Sequence, residues 1–308
     1  MANITAGMVK DLREKTGAGM MDCKAALAET SGDVEAAVDW LRKKGISKAA
    51  KKAGRVAAEG LVAVAVRGGK GALVEVNSET DFVARNDTFK AFAKEAAALA
   101  LDAGGDLDRL LASKMTGGST VQESLTNMIA NIGENMGVRR AGVLEVEPGI
   151  VVPYVHNAAA PELGRIGVLV ALRSTAAPEK LATIAKQLAM HIAFAAPQAL
   201  TPEGLPADVV ARERGIQAEI ARQSGKPENV IEKMIEGRMR KFYEEAVLLS
   251  QIFAIDNETQ IAKVVERASK DVGAPVEIAG FLRFAVGEGI ERPDGDDFAG
   301  EVKAMAGH

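Results

Sequence analysis

Residues 61–76 read Leu61-Val62-Ala63-Val64-Ala65-Val66, then Arg67-Gly68-Gly69-Lys70-Gly71, then Ala72-Leu73-Val74-Glu75-Val76. Two apolar runs of strand length, parted by a polar glycine-rich link, predict a β-hairpin. The glycines join strands and lack the GxxxxGK[ST] spacing, so the link is not a phosphate-binding loop. Phe89, Phe92, Ala96 and Leu99 then recur at helical spacing. A hairpin followed by an amphipathic helix predicts an antiparallel sheet with helices on one face, an α+β fold.

The same order returns downstream. Residues 141–146 and 149–156 are strand-like, residues 165–172 form a stronger strand, and Leu181, Ile184, Leu188 and Ile192 mark a helix. Gly71-Ala72-Leu73-Val74-Glu75-Val76 resembles Gly167-Val168-Leu169-Val170-Ala171-Leu172, which predicts a duplicated sheet-plus-helix core. Between the halves, Leu125, Met128, Ile129 and Ile132 mark another helix. Two amphipathic stretches flank the turn Ser224-Gly225-Lys226-Pro227. Val209, Val210, Ile216 and Ile220 precede it; Val230, Ile231, Met234, Ile235, Met239 and Phe242 follow. They predict an inserted antiparallel coiled-coil hairpin that dimerises, docks a partner or simply protrudes.

Upstream, residues 1–45 read as three short helices capped by Thr5, Asp22 and Asp33. The third carries the stripe Val34, Ala37, Val38 and Leu41 and ends at Gly45. Met20 and Met21 lie at a turn, as core methionines or as an adaptable contact surface. Trp40 lies beside the stripe and is assigned to neither. Arg42, Lys43, Lys44, Lys48, Lys51, Lys52 and Arg55 follow with no acid among them, either a solvated connector or a docking patch for an acidic protein surface.

These readings divide the chain into a helical domain and connector at 1–55, a first core subdomain at 56–140, and a second at 141–206. The second is interrupted by the hairpin at 207–243 and resumes at 244–286, before a terminal module at 287–308 with a helix-like tail over 298–305. Lysine plus arginine number 38 against 42 acids, a formal charge of -4. That balance disfavours direct nucleic-acid binding. The single cysteine, Cys23, excludes an internal disulfide framework and a multi-cysteine zinc site, and the three histidines are too scattered for a metal motif. No run reaches the roughly 20 apolar residues of a membrane span, and the start carries no apolar leader, so a cytoplasmic protein is expected. His191, at the edge of an apolar helical face, reads as a hydrogen-bonded structural residue; His156, at a strand end, reads as exposed. There is no Ser-His-Asp spacing, CxxC or HExxH, so neither a catalytic site nor a cofactor is expected.

Glu75-Val76-Asn77-Ser78-Glu79-Thr80-Asp81-Phe82-Val83-Ala84-Arg85-Asn86 joins a strand to a helix. Thr80 is placed to cap a short helical turn. Phe82 then falls at a connection, where a large ring has no automatic core position. Either Phe82 and Asp81 form an exposed wedge with a carboxylate anchor, or Phe82 tucks under its own helix. Glu75, Asn77, Glu79 and Asp81 also alternate, which in an extended chain would offer a face to Mg²⁺, although no base or nucleophile clusters beside them.

That stretch resembles the second signature of the bacterial elongation factor Ts family. Leu12-Arg13-Glu14-Lys15-Thr16-Gly17-Ala18-Gly19-Met20-Met21-Asp22-Cys23-Lys24 resembles its N-terminal signature. The resemblance continues through Ile132-Gly133-Glu134-Asn135, Arg165 to Val170, Ala189-Met190-His191, Gln223 to Pro227, Glu236 to Met239 and Phe284 to Ile290, covering essentially the whole chain. It implies a ubiquitin-associated-like helical domain, a two-part core, a coiled-coil insertion and a C-terminal module. It also implies guanine-nucleotide exchange on the translational GTPase elongation factor Tu, with GDP, GTP and Mg²⁺ bound by that partner. Arg13, Met20, Met21 and Lys24 would then touch the partner's nucleotide-binding domain. Thr80, Asp81, Phe82 and Val83 would form the central contact, and His156 would face another domain. Residues 104–120 and 157–164 look longer than the family pattern and leave the local surface there open.

Overall fold

The computed structural model describes residues 4–16 and 18–291. It opens on α1 (Ala6–Thr16), α2 (Met20–Glu29) and α3 (Val34–Ala50). The Thr5 hydroxyl accepts the Met8 N–H, and the Asp33 carboxylate accepts that of Ala36, so these two residues cap as expected. Asp22 does not cap. Helix α2 begins at Met20, which places Asp22 within its first turn, where Lys48 and Lys44 of α3 donate to it at 2.8 and 3.0 Å. Those two ammonium groups hold the Asp22 carboxyl below the usual carboxylate range. Leu12, Cys23, Ala26, Leu27, Ala37 and Leu41 form the small core of this unit. Burial pushes the Cys23 thiol up, so it packs as an inert apolar group.

Then β1 (Glu59–Arg67) and β2 (Lys70–Ser78) make the expected hairpin. They are followed by α4 (Asp81–Ala84), α5 (Asp87–Ala103), α6 (Leu107–Ala112), α7 (Val121–Ile132) and β3 (Met136–Glu145), which pairs with β2. The second half repeats this plan. Strands β4 (Gly149–Ala160) and β5 (Leu163–Arg173) form a hairpin. Helices α8 (Pro178–Ala195), α9 (Ala207–Arg222), α10 (Glu228–Ala246) and α11 (Ile261–Val272) follow, and β6 (Glu277–Ala285) returns to β5. Strand β3 therefore runs across the expected boundary at residue 140. Residues 141–145 close the first meander instead of opening the second, because alternation identifies a strand but not its neighbour.

The two meanders are parts of one curled antiparallel sheet. β1 meets β5 at Val62–Gly164 and Ala63–Leu163, so the segment 157–164, longer than the family pattern, is largely the joint between them. His156 does not end its strand. Asn157 takes a left-handed backbone (φ 50°) and the register shifts between Ala158 and Ala160, so β4 bends and continues.

Val62, Val64, Leu73, Val151, Leu169 and Ala171 fill the space between the two inner sheet faces. A Cβ on Gly71 would stand 2.9 Å from a Leu169 methyl, and one on Gly167 would stand 3.1 Å from a Leu73 methyl. Each glycine admits the leucine two places beyond the other, so the repeated Gly-x-Leu has a packing cause. The outer faces are covered by helices: Phe89, Phe92, Leu125 and Met128 over the first half, Leu181, Leu188, Ile192 and Val264 over the second. Strand β2 is buried on both faces from residue 71 onward, which explains its unbroken apolar run.

Helix α3 does not stop at Gly45. It continues to Ala50, and Gly45 is the buried point where α3 crosses α7. A Cβ there would lie 3.7 Å from Ala130 and Asn127, an ordinary contact. Gly45→Ala is therefore expected to stabilise the protein by about 0.5–1 kcal/mol through the better helix propensity of alanine, read as a raised Tm. The basic run is also structured. Arg42 pairs with Glu123 of α7, Lys44 and Lys48 pair with Asp22, and Arg55 pairs with Glu79. Arg42 and Arg55 tie the helical unit to the core, while Lys44 and Lys48 brace α3 against α2, so these four residues of the expected solvated connector are ion-paired.

Helices α9 and α10 pack along Ala221, Ile231, Ile235 and Met239. Ile216 and Ile220 of the expected stripe are exposed, because Ala221 holds the seam position instead. Among the described residues no helix is long and apolar enough to cross a membrane. The helix-like tail expected over 298–305, and most of the module expected at 287–308, lie outside the described residues.

Candidate functional site

Helix α4 is a single turn with two sides. Val83 and Ala84 are buried in the cluster that holds Phe89 and Phe92. With that side committed to the core, Phe82 is directed outward and keeps 75% of its surface exposed. It does not tuck under its own helix. Val83, expected as a contact residue, is instead the apolar anchor of the turn.

Thr80 precedes α4 but makes no side-chain cap. Its hydroxyl and its N–H donate to the two oxygens of Glu134, at 2.7 and 3.0 Å. In the opposite direction, the Glu79 carboxylate accepts the Asn135 N–H and a longer bond from Arg55. The Asn135 amide closes the set on the Arg55 carbonyl at 2.6 Å. Two crossed carboxylates thus fix the base of the turn from either side. Sequence reasoning gave no role to Glu134, whose only local signal is its place just after the glycine that ends α7. Glu134→Ala should leave two part-buried donors unpaired and cost about 1–3 kcal/mol, measured by urea denaturation.

On the exposed side, Arg85 pairs with Asp81 at 2.6 Å, and its guanidinium carbon lies 5.9 Å from the Phe82 ring centroid. The pair flanks the ring without covering it. The alternating face proposed for Mg²⁺ does not form, since Glu79 serves Asn135, Asp81 serves Arg85, and Glu75 serves another network. Among the described residues no three His, Cys, Asp or Glu side chains converge on a metal position.

Glu75 is fully buried on β2. A bulge opposite Glu75 and Val76 lets both Arg139 and Arg140 of β3 reach it, at 3.2 and 2.5 Å. Asn77 and the Gly287 N–H also donate to it, at 3.0 and 2.8 Å. Burial alone would raise the Glu75 carboxyl; the Gly287 N–H, Asn77 and Arg140 outweigh it and hold the group below its ordinary range. Arg139 donates onward to the Glu288 carbonyl, and Arg140 to that of Ala285, so the carboxylate fixes the chain leaving β6.

Arg13, Met20, Met21 and Lys24 are all exposed on α1 and α2, which makes the two methionines surface groups rather than core. His156 is exposed on β4, with its Nδ1 3.1 Å from the Tyr154 hydroxyl. It lines a groove of about 500 Å³ with Met190, Phe194, Ile255 and Arg283. Phe194 is 82% exposed. It was not among the residues singled out from sequence, although its place off the Leu181–Ile192 stripe was a signal. The structure therefore sets the expected residues at three places: the helical unit, the Phe82 turn and the groove beside His156.

Residues 79–288 match the protein family described as Elongation factor TS. The chain is 58% identical to Elongation factor Ts of Maricaulis maris over 310 aligned residues, covering 100% of this chain and 99% of that one. It is 58% identical to that of Rhodospirillum rubrum and 59% identical to that of Rhizorhabdus wittichii, each with 99% of both chains covered. With one signature on the helical unit, the second in the duplicated core and full-length similarity at this level, the chain belongs to the elongation factor Ts family.

Proposed function

We propose that this protein is a guanine-nucleotide exchange factor for elongation factor Tu, and that it works through Asp81 and Phe82. The observation that carries the reading is an exposed aromatic ring on a turn whose backbone is pinned from both sides. A large ring held in water gains on docking, and a pinned turn loses little conformational entropy when it does. Phe82 inserts between helices of the GTPase's nucleotide-binding domain and shifts the elements that hold Mg²⁺ and the β-phosphate. Arg13, Met20, Met21 and Lys24 bind the same domain, and the groove beside His156 receives another.

No bond is made or broken by this chain, which needs no cofactor and acts on the GDP, GTP and Mg²⁺ of its partner. It binds best to a GTPase conformation whose ion and phosphate contacts are weakened. Reciprocity then requires nucleotide to weaken the factor's own binding, so that GTP entry releases it. The helical unit serves as a ubiquitin-associated-like docking domain, and residues 207–243 as a coiled-coil arm that dimerises or docks a partner. The place of action is the cytoplasm. Nucleic acid is no part of the reading, since four of the seven basic-run residues are engaged in ion pairs within the chain.

The test is release of a fluorescent GDP analogue from elongation factor Tu at fixed Mg²⁺ with excess unlabelled nucleotide. Acceleration at substoichiometric protein is expected. An unchanged rate with folded protein would leave a scaffold that binds without exchanging.

A further inference from the structure

His191 lies on α8 between Met190 and Phe194, is 1% exposed, and takes no part in the Phe82 turn. Its Nδ1 accepts the Ala254 N–H at 3.2 Å. The ring proton therefore resides on Nε2, which donates to Gln251 Oε1 at 2.9 Å. Gln251 is itself buried, and its amide donates to the carbonyl of Glu245 at 2.7 Å and to that of Ala195 at 3.5 Å. The Phe253 ring packs against the imidazole with centroids 6.0 Å apart.

One ring and one amide thus link the end of α8, the end of α10 and residues 251–255. The first and last of these places bear the exposed apolar side chains of the His156 groove and its margin: Met190 and Phe194 on α8, Ile252 and Ile255 on the loop. Residues 251–255 belong to no helix or strand; the bridge Ile252–Gln260 and the Phe253 N–H on the Thr259 carbonyl tie them to the start of α11, and the His191 and Gln251 bonds tie them to α8, which carries Phe194. Filling the core would ask only for bulk. Instead both nitrogens of the imidazole are engaged, one of them on the loop backbone.

We infer that His191 and Gln251 are positioning residues that hold the Phe194–Ile255 face in its docking shape. The inference rests on the exchange-factor reading for what that face receives. Neither side chain touches the partner; each acts through the segment it holds.

Two substitutions separate the nitrogens. His191→Asn keeps an acceptor near the Nδ1 position, whereas His191→Gln keeps a donor near Nε2 and loses the bond to Ala254. In the GDP-release titration, His191→Gln is expected to raise the half-saturating concentration roughly tenfold, the effect of one unpaired buried donor, with the maximal rate unchanged. His191→Asn should restore most of the loss. Hydrogen exchange of the Ala254 amide should accelerate in the Gln variant and stay slow in the Asn variant. Should His191→Gln unfold, Gln251→Met removes the amide's bonds to the Glu245 and Ala195 carbonyls as well as the ring's acceptor, and carries the same expectation for half-saturation.

Half-saturation equal to that of the unsubstituted protein, or equal loss in the Asn and Gln variants with Ala254 protected in both, would overturn the inference. If the unsubstituted protein itself leaves GDP release unchanged, the exchange-factor reading has failed instead. The Ala254 exchange rates then still decide whether His191 anchors the loop.

Discussion

Phe82→Ala should slow catalysed GDP release by roughly 30-fold or more while moving the unfolding free energy by no more than about 0.5 kcal/mol. The two halves of that expectation have one cause. With 75% of its surface in water, the ring contributes little to the fold, whose local anchors are Val83 and Ala84. Buried in a partner, the same ring is worth about 1.5–3 kcal/mol from area alone, and a central aromatic typically costs 2 kcal/mol or more when truncated. At about 1.4 kcal/mol per decade, 2 kcal/mol is close to 30-fold. Stopped-flow release at saturating factor measures the first half, and urea denaturation the second. Equal release rates for the two proteins would remove Phe82 from the wedge role.

Glu75→Ala carries the largest expected loss of stability. It removes the anion from between Arg139 and Arg140, strands the Gly287 N–H and leaves the Asn77 amide only the Glu59 carbonyl, all of them donors to a fully buried group. Breaking a buried ion pair from one side costs about 3–5 kcal/mol, a large share of a typical folding free energy. Glu75→Gln keeps the shape without the charge and should cost less. The two variants also separate on pH. Because the folded Glu75 carboxyl lies below its ordinary value of 4.5, its contribution is complete above that value and is lost as pH falls through the folded value. Denaturation series at neutral pH and below pH 4.5 should therefore show the gap between the native protein and Glu75→Gln narrowing on the acid side. A gap independent of pH would mean that the carboxylate charge is not what stabilises this network.

Much of the architecture was legible because it rests on periodicity. The hairpin at 61–76, the stripe Phe89–Leu99 and the stripe Leu181–Ile192 bury an apolar face wherever they are placed, so pattern alone identifies them. The echo between Gly71-x-Leu73 and Gly167-x-Leu169 was legible too, since both sites solve the same packing problem. Partner choice was not legible: nothing local to residues 141–145 says that they pair with β2, nor that Asn157 bends β4 onward instead of ending it. Gly45 misled for a related reason, since glycine at a helix end and glycine at a helix crossing look alike until the crossing helix is present.

In the candidate site, the exposed residues were readable and the partners that hold their segments were not. A phenylalanine beside an aspartate at a strand-to-helix connection is conspicuous in one dimension. Glu134, 54 residues beyond Thr80, and Gln251, 60 beyond His191, are conspicuous only once the chain has folded.

The amino-acid sequence alone determined the element types, the duplication and the family, and left Phe82 between two readings, because each of these depends on residues close together along the chain. The tertiary structure decided that Phe82 faces water while Val83 does not. It also decided that the two meanders share one sheet, and that Glu75 is the buried hub of an ion-pair network. Each of these depends on a neighbour brought from far along the chain, where desolvation and hydrogen bonding, not local propensity, set the outcome.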